Sequence, residues 1–297
     1  MDEIQNNMAN NQAFSILITV DVEDWFQVEN FKPWIAHGSW DTRELRVEKN
    51  CHRLMDLFDS IPGVRVRATF FILGWIAVRL PKLVKEIQRR GHEVASHGFS
   101  HDLCTNVSRK YLLKDLIRSR KILEDITGNR VKGYRAPSFA INNGILSLIE
   151  ETGYVYDSSY NSFDAHGRYG SIDVAGKKRN GITIEFSDAF QEIPVSNFVF
   201  KDKTFPLGGG GYFRLLPFSF FKQGLKHVLK TENAFVFYMH PWEIDPDQPR
   251  VGQASAGFRF RHYVNLEKTE SKLRALIKSF HHCNFLSCSD FLKIQKL

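Results

Sequence analysis

The sequence predicts an α/β fold built on a parallel sheet, open or closed into a barrel, and two observations carry that prediction. Short apolar, β-branched runs alternate with amphipathic stretches of helical period through the first half of the chain. Each helical stretch also ends at a glycine before the next apolar run. Phe14 to Val20 and Ala68 to Leu73 read as buried strands. Pro81 to Arg90 reads as a helix with proline at its first position and Gly91 as its stop, followed by a short strand from His92 to Ala95. Ser108 suits an N-cap for a helix to Ile126 that carries Leu112, Leu116 and Leu123 on one stripe and stops at Gly128. Val131 to Tyr134 is a short strand, Asn142 or Asn143 opens a helix to Thr152, and Tyr154 to Tyr156 is extended. Ala234 to Met239 is again a buried strand. A helix from Glu270 to His281 and a strand from Asn284 to Ser287 complete the pattern.

Between Ser162 and Arg214 the pattern changes to short apolar runs punctuated by Gly, Asp and Ser, which reads as an inserted β-rich segment. Residues 245 to 262, with Pro246, Pro249, Gly252 and Gly257, read as a long loop. With no clean linker in view, residues 14–297 are expected to form a single domain with an insertion at about 162–214, behind a flexible segment 1–13. The 297 residues are 43% hydrophobic and 25% charged, ordinary for a globular protein, which excludes a collagenous or largely disordered chain. No apolar run is long enough to span a bilayer, and the polar start MDEIQNNMANNQ has neither the basic nor the apolar region of a signal peptide. Cytoplasmic residence is the expectation. Four cysteines, irregularly spaced, do not make a disulfide framework or a zinc knuckle. The net charge of +7 is compatible with an anionic partner and equally with a solvated basic surface; no nucleic-acid-binding motif is present.

Five segments have the residue types of a reactive site. His97 and His101 stand four apart in SHGFSH, the spacing of two metal ligands on a helix, although Gly98 suits a tight turn as well and surface histidines share the pattern. Asp21, Glu23 and Asp24 crowd the end of the first strand. Like charges so close raise one another's pKa unless a cation intervenes, and strand alternation aims Asp21 and Glu23 to one side. Arg135 in YRAP suits a clamp on a carboxylate or a surface turn. His240 follows the strand 234–239, and Asp157 is either a partner for a histidine or a cap. In parallel α/β folds such strand ends are where sites gather. The run Gly208 to Gly211 lacks the residues of a phosphate loop and suits a tight turn or a backbone platform.

Taken in order, TVDVEDWF, ATFFILGWIAVRLPKLVKEIQRRGHEVASHGFSH, GYRAPSF, YDSSY, GGGYFR and FYMHPWE resemble the polysaccharide deacetylase family (NodB-homology, carbohydrate esterase 4), in the branch found in exopolysaccharide biosynthesis loci. The resemblance spans roughly residues 14 to 290. It implies a distorted (β/α) barrel, a divalent metal, usually zinc, and hydrolysis of N-acetyl groups on an amino-sugar polysaccharide or its lipid-linked precursor. By position it makes Asp21 the general base, His97 and His101 metal ligands, Arg135 the residue that orients the base, and His240 the general acid with Asp157 orienting it. Ser138 supplies a backbone N–H to the oxyanion. The family's usual adjacent aspartates are absent: Val22 follows Asp21, so the carboxylate ligand is Glu23 or Asp24. The aromatic of the fourth motif is Tyr160 or Tyr156 instead of Trp. Arg250, Arg259, Arg261 and His262 follow the strand that delivers His240 and are candidates to grip an anionic part of the substrate, or to pair with the chain's own carboxylates. Two rival readings are a metal-independent cyclic amidase of the allantoinase type, against which both histidines argue, and a catalytically inactive glycan-binding protein.

Overall fold

The computed structural model describes residues 14–163, 169–201 and 203–295; the segment 1–13 expected to be flexible lies outside them. The first half runs β1 (Ser15–Val22), α1 (Val47–Asp59), β2 (Thr69–Ile72), α2 (Gly74–Arg79), α3 (Pro81–Arg89), β3 (Glu93–Ser96), α4 (Arg109–Thr127), β4 (Gly133–Tyr134), α5 (Asn143–Glu151) and β5 (Tyr156–Asp157). The second half continues with β6 (Lys178–Asn180), β7 (Thr183–Ser187), β8 (Phe190–Glu192), β9 (Asn197–Phe200), β10 (Lys203–Pro206), α6 (Gly210–Leu215), α7 (Phe218–Glu232) and β11 (Ala234–Met239). It ends with α8 (Ala256–Tyr263), α9 (Leu266–Ser279), β12 (Asn284–Phe285) and α10 (Cys288–Gln295). The helices begin where local chemistry favours it. The Ser108 hydroxyl accepts from Tyr111 N at 3.3 Å to cap α4, and Asn142 Oδ1 accepts from Ile145 N at 3.0 Å to cap α5.

The main sheet has the order β11-β1-β2-β3-β4-β5-β8-β7-β6, with β12 also on β1. From β11 to β8 every pairing is parallel, and β8-β7 and β7-β6 are antiparallel. The sheet curls into the expected distorted (β/α) barrel. Its two sides meet through the chain after β8: Val195 N donates to Tyr160 O at 2.9 Å, Val236 N of β11 donates to Ser196 Oγ at 2.8 Å, and Tyr238 N donates to Gly208 O at 2.7 Å. The closure needs glycine, because a Cβ on Gly208 would stand 2.6 Å from Ser196 O and 2.7 Å from Val236 O. The Gly208–Gly211 run is thus a backbone platform against β11.

Alternation along β1 divides the core. Ile16, Ile18, Val20 and Val22 pack outward in the large core that also holds the helices, while Leu17 packs inward with Phe71, Ala95, Tyr156 and Val236. Each such apolar side chain is worth about 1.5–3 kcal/mol when buried. The barrel floor is polar but satisfied: Glu93 accepts from Thr69 Oγ1 at 2.8 Å, Tyr156 Oη at 3.0 Å and Ser289 N at 3.0 Å. With the floor closed, the inward polar groups at the carboxyl ends of the strands open only upward.

Segment 162–214 is β-rich as expected, with β6–β8 extending the main sheet past β5 and β9–β10 forming a separate hairpin. One expectation needs revision. Residues 245–262 are not one loop. Helix α8 (Ala256–Tyr263) occupies their second part, starting behind Ser255, whose hydroxyl accepts from Phe258 N at 3.4 Å. The Gly and Pro content hid a helix that tertiary packing stabilises.

Candidate active site

Alternation puts Thr19 and Asp21 of β1 on the barrel's inner side, and Glu23 follows just past the strand end. Arg135, fully buried just after β4, reaches across to them. Its Nη1 donates to Asp21 Oδ1 at 2.7 Å and Thr19 Oγ1 at 2.8 Å, its Nη2 to Ser158 Oγ at 2.8 Å, and its Nε to Ser158 O at 2.8 Å. The guanidinium also lies over the Phe71 ring, 4.2 Å from its centroid. A fully bonded buried arginine leaves the Asp21 carboxylate one orientation.

His97 and His101 converge through a tight turn, not a helix: Gly98 has φ 74° and His101 φ 56°. Asp115 of α4 ties that turn down by accepting from Phe99 N at 3.0 Å. His97 Nε2 lies 3.0 Å and His101 Nε2 2.9 Å from the same Glu23 Oε1. The three ligand atoms lie within 4.8 Å of one another, and all three residues are buried. His97 Nδ1 stands 2.8 Å from the Arg135 carbonyl, which can only accept, so that nitrogen carries the proton. In the neutral ring Nε2 then turns a lone pair toward a carboxylate oxygen. Two acceptors facing each other fit a cation between them, and two imidazoles with one carboxylate is a donor set that suits zinc. Burial alone would raise the Glu23 carboxyl, but the imidazoles of His101 and His240 outweigh it and hold it well below its ordinary range.

Asp24, the other candidate ligand, is not in this cluster. Its carboxylate accepts from Trp25 N at 2.8 Å, Arg46 N at 2.7 Å and Val47 N at 2.9 Å, holding the start of α1. Burial pushes its carboxyl up to about 6 against the pull of those N–H groups.

His240 stands on the opposite wall, its Nε2 3.7 Å from Glu23 Oε1. Its Nδ1 is 2.9 Å from Glu243 Oε1, in the turn that His240 itself opens. Glu243 Oε2 receives Nε of buried Arg214 at 2.8 Å, and that guanidinium also donates to the carbonyls of Arg261, His262 and Val264. Burial lowers the affinity of His240 for a proton, but Glu23, Glu243 and Asp21 together raise its pKa to about 9. The ring stacks on Trp242, which in turn stacks on His262 at 4.0 Å. Gly210 lies directly against the Glu243 carboxylate, where a Cβ would collide.

The carboxylate on His240 is therefore Glu243, not Asp157. Asp157 accepts from Ser159 N at 3.0 Å and Ser159 Oγ at 2.9 Å and is hydrogen-bonded to Glu192. Burial, then mutual repulsion, pushes the Glu192 carboxyl well up, so the pair shares a proton. Ser159 Oγ in turn accepts from Ala136 N at 2.7 Å, which anchors the segment leading to Ser138. Ser138 (φ 52°) and Phe139 (φ 58°) sit consecutively in the left-handed region, a strained turn at the cavity wall. Glu243, Arg214 and Asp115 were not singled out from sequence. The spacing His240-Pro-Trp-Glu243, a residue and its N3 partner in a tight turn, is the signal that points to Glu243.

Asp21, Glu23, His101, Ser138, His240 and Glu243 line a cavity of about 480 Å³ that also includes Tyr212, Leu215, Phe260 and Arg261. His262 is buried and bonded to Gln248 Oε1 at 2.6 Å, so it belongs to the wall and not to an anion grip. Arg250 lies over Tyr263.

The family model described as Polysaccharide deacetylase matches residues 48–156, and one described as a domain of unknown function (DUF3473) matches residues 158–292. The peptidoglycan deacetylase-like protein FGM2 of Gibberella zeae is 33% identical over 117 residues, which are 39% of this chain and 34% of that protein. The chain thus aligns with about a third of that relative's length. A crystal structure from Mycobacterium smegmatis described as a polysaccharide deacetylase superposes with TM-score 0.62 at 20% identity, covering 97% of this chain and 92% of that one. Puue allantoinase superposes with TM-score 0.54 at 15% identity over 93% of this chain and 88% of its own, so the fold by itself does not separate the two chemistries. The sequence match over residues 48–156, a segment that includes both histidines and Arg135, is to the polysaccharide deacetylase family model.

Proposed function

We propose that this protein hydrolyses N-acetyl groups on an amino-sugar glycan with a divalent metal, zinc, held by Glu23, His97 and His101. The observation that carries the reading is Glu23 Oε1 set between two imidazole nitrogens at 3.0 and 2.9 Å, with Asp21 and His240 both on the same cavity. A bound divalent ion lowers the pKa of a water and polarises the acetyl carbonyl.

The chain's own residues do the rest. Asp21, fixed through one oxygen by Arg135, takes a proton from the attacking water with the other. As the carbonyl carbon becomes tetrahedral, the backbone N–H of Ser138 donates to the developing oxyanion. His240, its Nδ1 held by Glu243, gives the Nε2 proton to the leaving nitrogen. An amine is a poor leaving group until protonated, so an acid on the wall opposite the base is what the reaction needs. The Asp157–Glu192 pair acts through Ser159 on the segment that presents Ser138.

The reading extends to the substrate as a polymer of exopolysaccharide biosynthesis or its lipid-linked precursor, on the resemblance of the motifs. Arg261, on the cavity wall, is the residue that would meet a phosphate or acidic sugar. The test is acetate release from N-acetylglucosamine oligomers by protein stripped with chelator and reloaded with zinc. The reading expects activity only after reloading. Equal acetate release from stripped protein would overturn it in favour of the metal-independent amidase. Bound oligomer without acetate release under any metal would favour the glycan-binding protein.

A further inference from the structure

The β9–β10 hairpin stands apart from the main sheet and leaves apolar side chains uncovered on both of its faces. Phe200 is 54% exposed and Phe205 46%, on the face that carries Phe198; Val199, on the opposite face, is 53% exposed. Phe198 packs on His227 of α7, with ring centroids 5.0 Å apart, and Leu207, just after β10, meets α7 at Gly224. Phe220 shares that helical stripe, four residues before Gly224 and seven before His227, and is 68% exposed. Leu215, 49% exposed, ends α6 immediately before α7 and also lines the catalytic cavity. An apolar strip thus runs from the hairpin along α7 to the rim of the cleft, larger than single surface hydrophobes account for.

Its surroundings are basic. Residues 197–230 hold Lys201, Lys203, Lys222, Lys226 and Lys230 but only one acid, Asp202. Of these, Lys201, Lys203, Lys226 and Lys230 are exposed, and Lys222 is half-buried over the Phe218 ring. Uncovered phenylalanines flanked by lysines are the chemistry of an interfacial membrane contact. No described helix is long and apolar enough to cross a membrane, so such a contact lies on the surface of the bilayer. A second copy of this chain fits less well, because a two-fold pairing of the strip would set the same lysines against one another.

We propose that the β9–β10 hairpin and the exposed side of α7 form a docking surface for an anionic lipid bilayer. The phenylalanines enter the interfacial zone, the lysines lie against the headgroups, and Leu215 puts the mouth of the cavity at the edge of the contact. The proposal is independent of the reaction assigned above.

The experiment is co-sedimentation of the full chain with vesicles of phosphatidylcholine alone and of phosphatidylcholine mixed with phosphatidylglycerol. The wild type is expected to bind the phosphatidylglycerol vesicles and to release with added salt. Phe200→Ser with Phe220→Ser should weaken binding by roughly tenfold or more. Lys226→Glu with Lys230→Glu should abolish the preference for phosphatidylglycerol. Melting temperatures check that each variant is folded, and the lysine pair provides the test if the phenylalanine pair is not. Failure of the wild type to bind anionic vesicles at low salt overturns the proposal, as does wild-type binding by either folded pair. A dimer in light scattering that the phenylalanine pair abolishes, without vesicle binding, would also overturn it and assign the strip to a second copy.

Discussion

Arg135 and Arg214 use one device on opposite walls of the cleft and differ in what they hold. Both are buried and each pairs with a carboxylate, Asp21 at 2.7 Å and Glu243 at 2.8 Å. Arg135 grips Asp21, the proposed base, a residue 114 positions away on another strand, so the two must be brought together by the barrel. Arg214 grips a carboxylate that in turn grips His240 three residues before it, a relay mostly contained in one turn. The difference teaches where each wall stands on the proton path. In the proposed reaction, the arginine's partner on the first wall is the reacting group; on the second, the reacting group is one hydrogen bond further out. Burying either pair costs desolvation that excellent geometry must offset, and removing one partner leaves an uncompensated charge.

The largest effect should come from the first wall. Asp21→Asn keeps the shape and the Arg135 contact but cannot accept a proton. Turnover is expected to fall by about 10²–10⁴-fold with metal content unchanged. A loss of metal in step with activity would place Asp21 among the ligands and break the distinction between base and metal site. The second wall should lose less and lose it selectively. Glu243→Gln leaves His240 in place but loosens the hold on Nδ1, and a fall of roughly ten- to a hundredfold on an N-acetyl amide is expected. An activated acetyl ester, whose leaving group needs no proton, should be nearly spared. Equal losses on amide and ester would make the relay a structural feature.

Legibility in the sequence followed the same division. The first wall was readable because strand alternation aims Asp21 and Glu23 to one side and because the long block ending in His97 and His101 is specific. What remained open there was local geometry. Glu23 and Asp24 are adjacent, and only the start of α1, contributed by Arg46 and Val47 from 22 and 23 residues on, takes Asp24 away. HxxxH fits helix and turn alike until Gly98 and His101 adopt positive φ. On the second wall His240 was readable and its partner was not: Asp157 stands at a strand end, as a histidine's partner would, yet Ser159, through both its N–H and its hydroxyl, and Glu192 claim it. α8 was lost among Pro and Gly because Arg214 and the Trp242–His262 stack, both distant in sequence, stabilise it.

A smaller effect separates site electrostatics from stability. His92 is buried beyond the cleft, accepts from Ala68 N at 3.2 Å, and burial lowers its pKa from 6.5 to about 4. The folded state resists protonation, so this contribution is complete above pH 6.5 and is lost as pH falls toward 4, up to about 3 kcal/mol. In urea melts from pH 7 to 4, His92→Gln should lose less stability than wild type across that window, and identical slopes would assign the acid sensitivity elsewhere.

The central claim is that Glu23, His97 and His101 are the metal ligands while their crowded neighbour Asp24 holds α1. Metal content per chain, measured on protein reloaded with zinc and dialysed, tests it directly. The account predicts about one zinc per chain in wild type and in Asp24→Asn, the latter melting at lower temperature because a cap worth about 1 kcal/mol is weakened. It predicts near-zero occupancy in Glu23→Ala and in His97→Ala. Full occupancy in Glu23→Ala together with loss in Asp24→Asn would contradict it and move the metal to the other carboxylate.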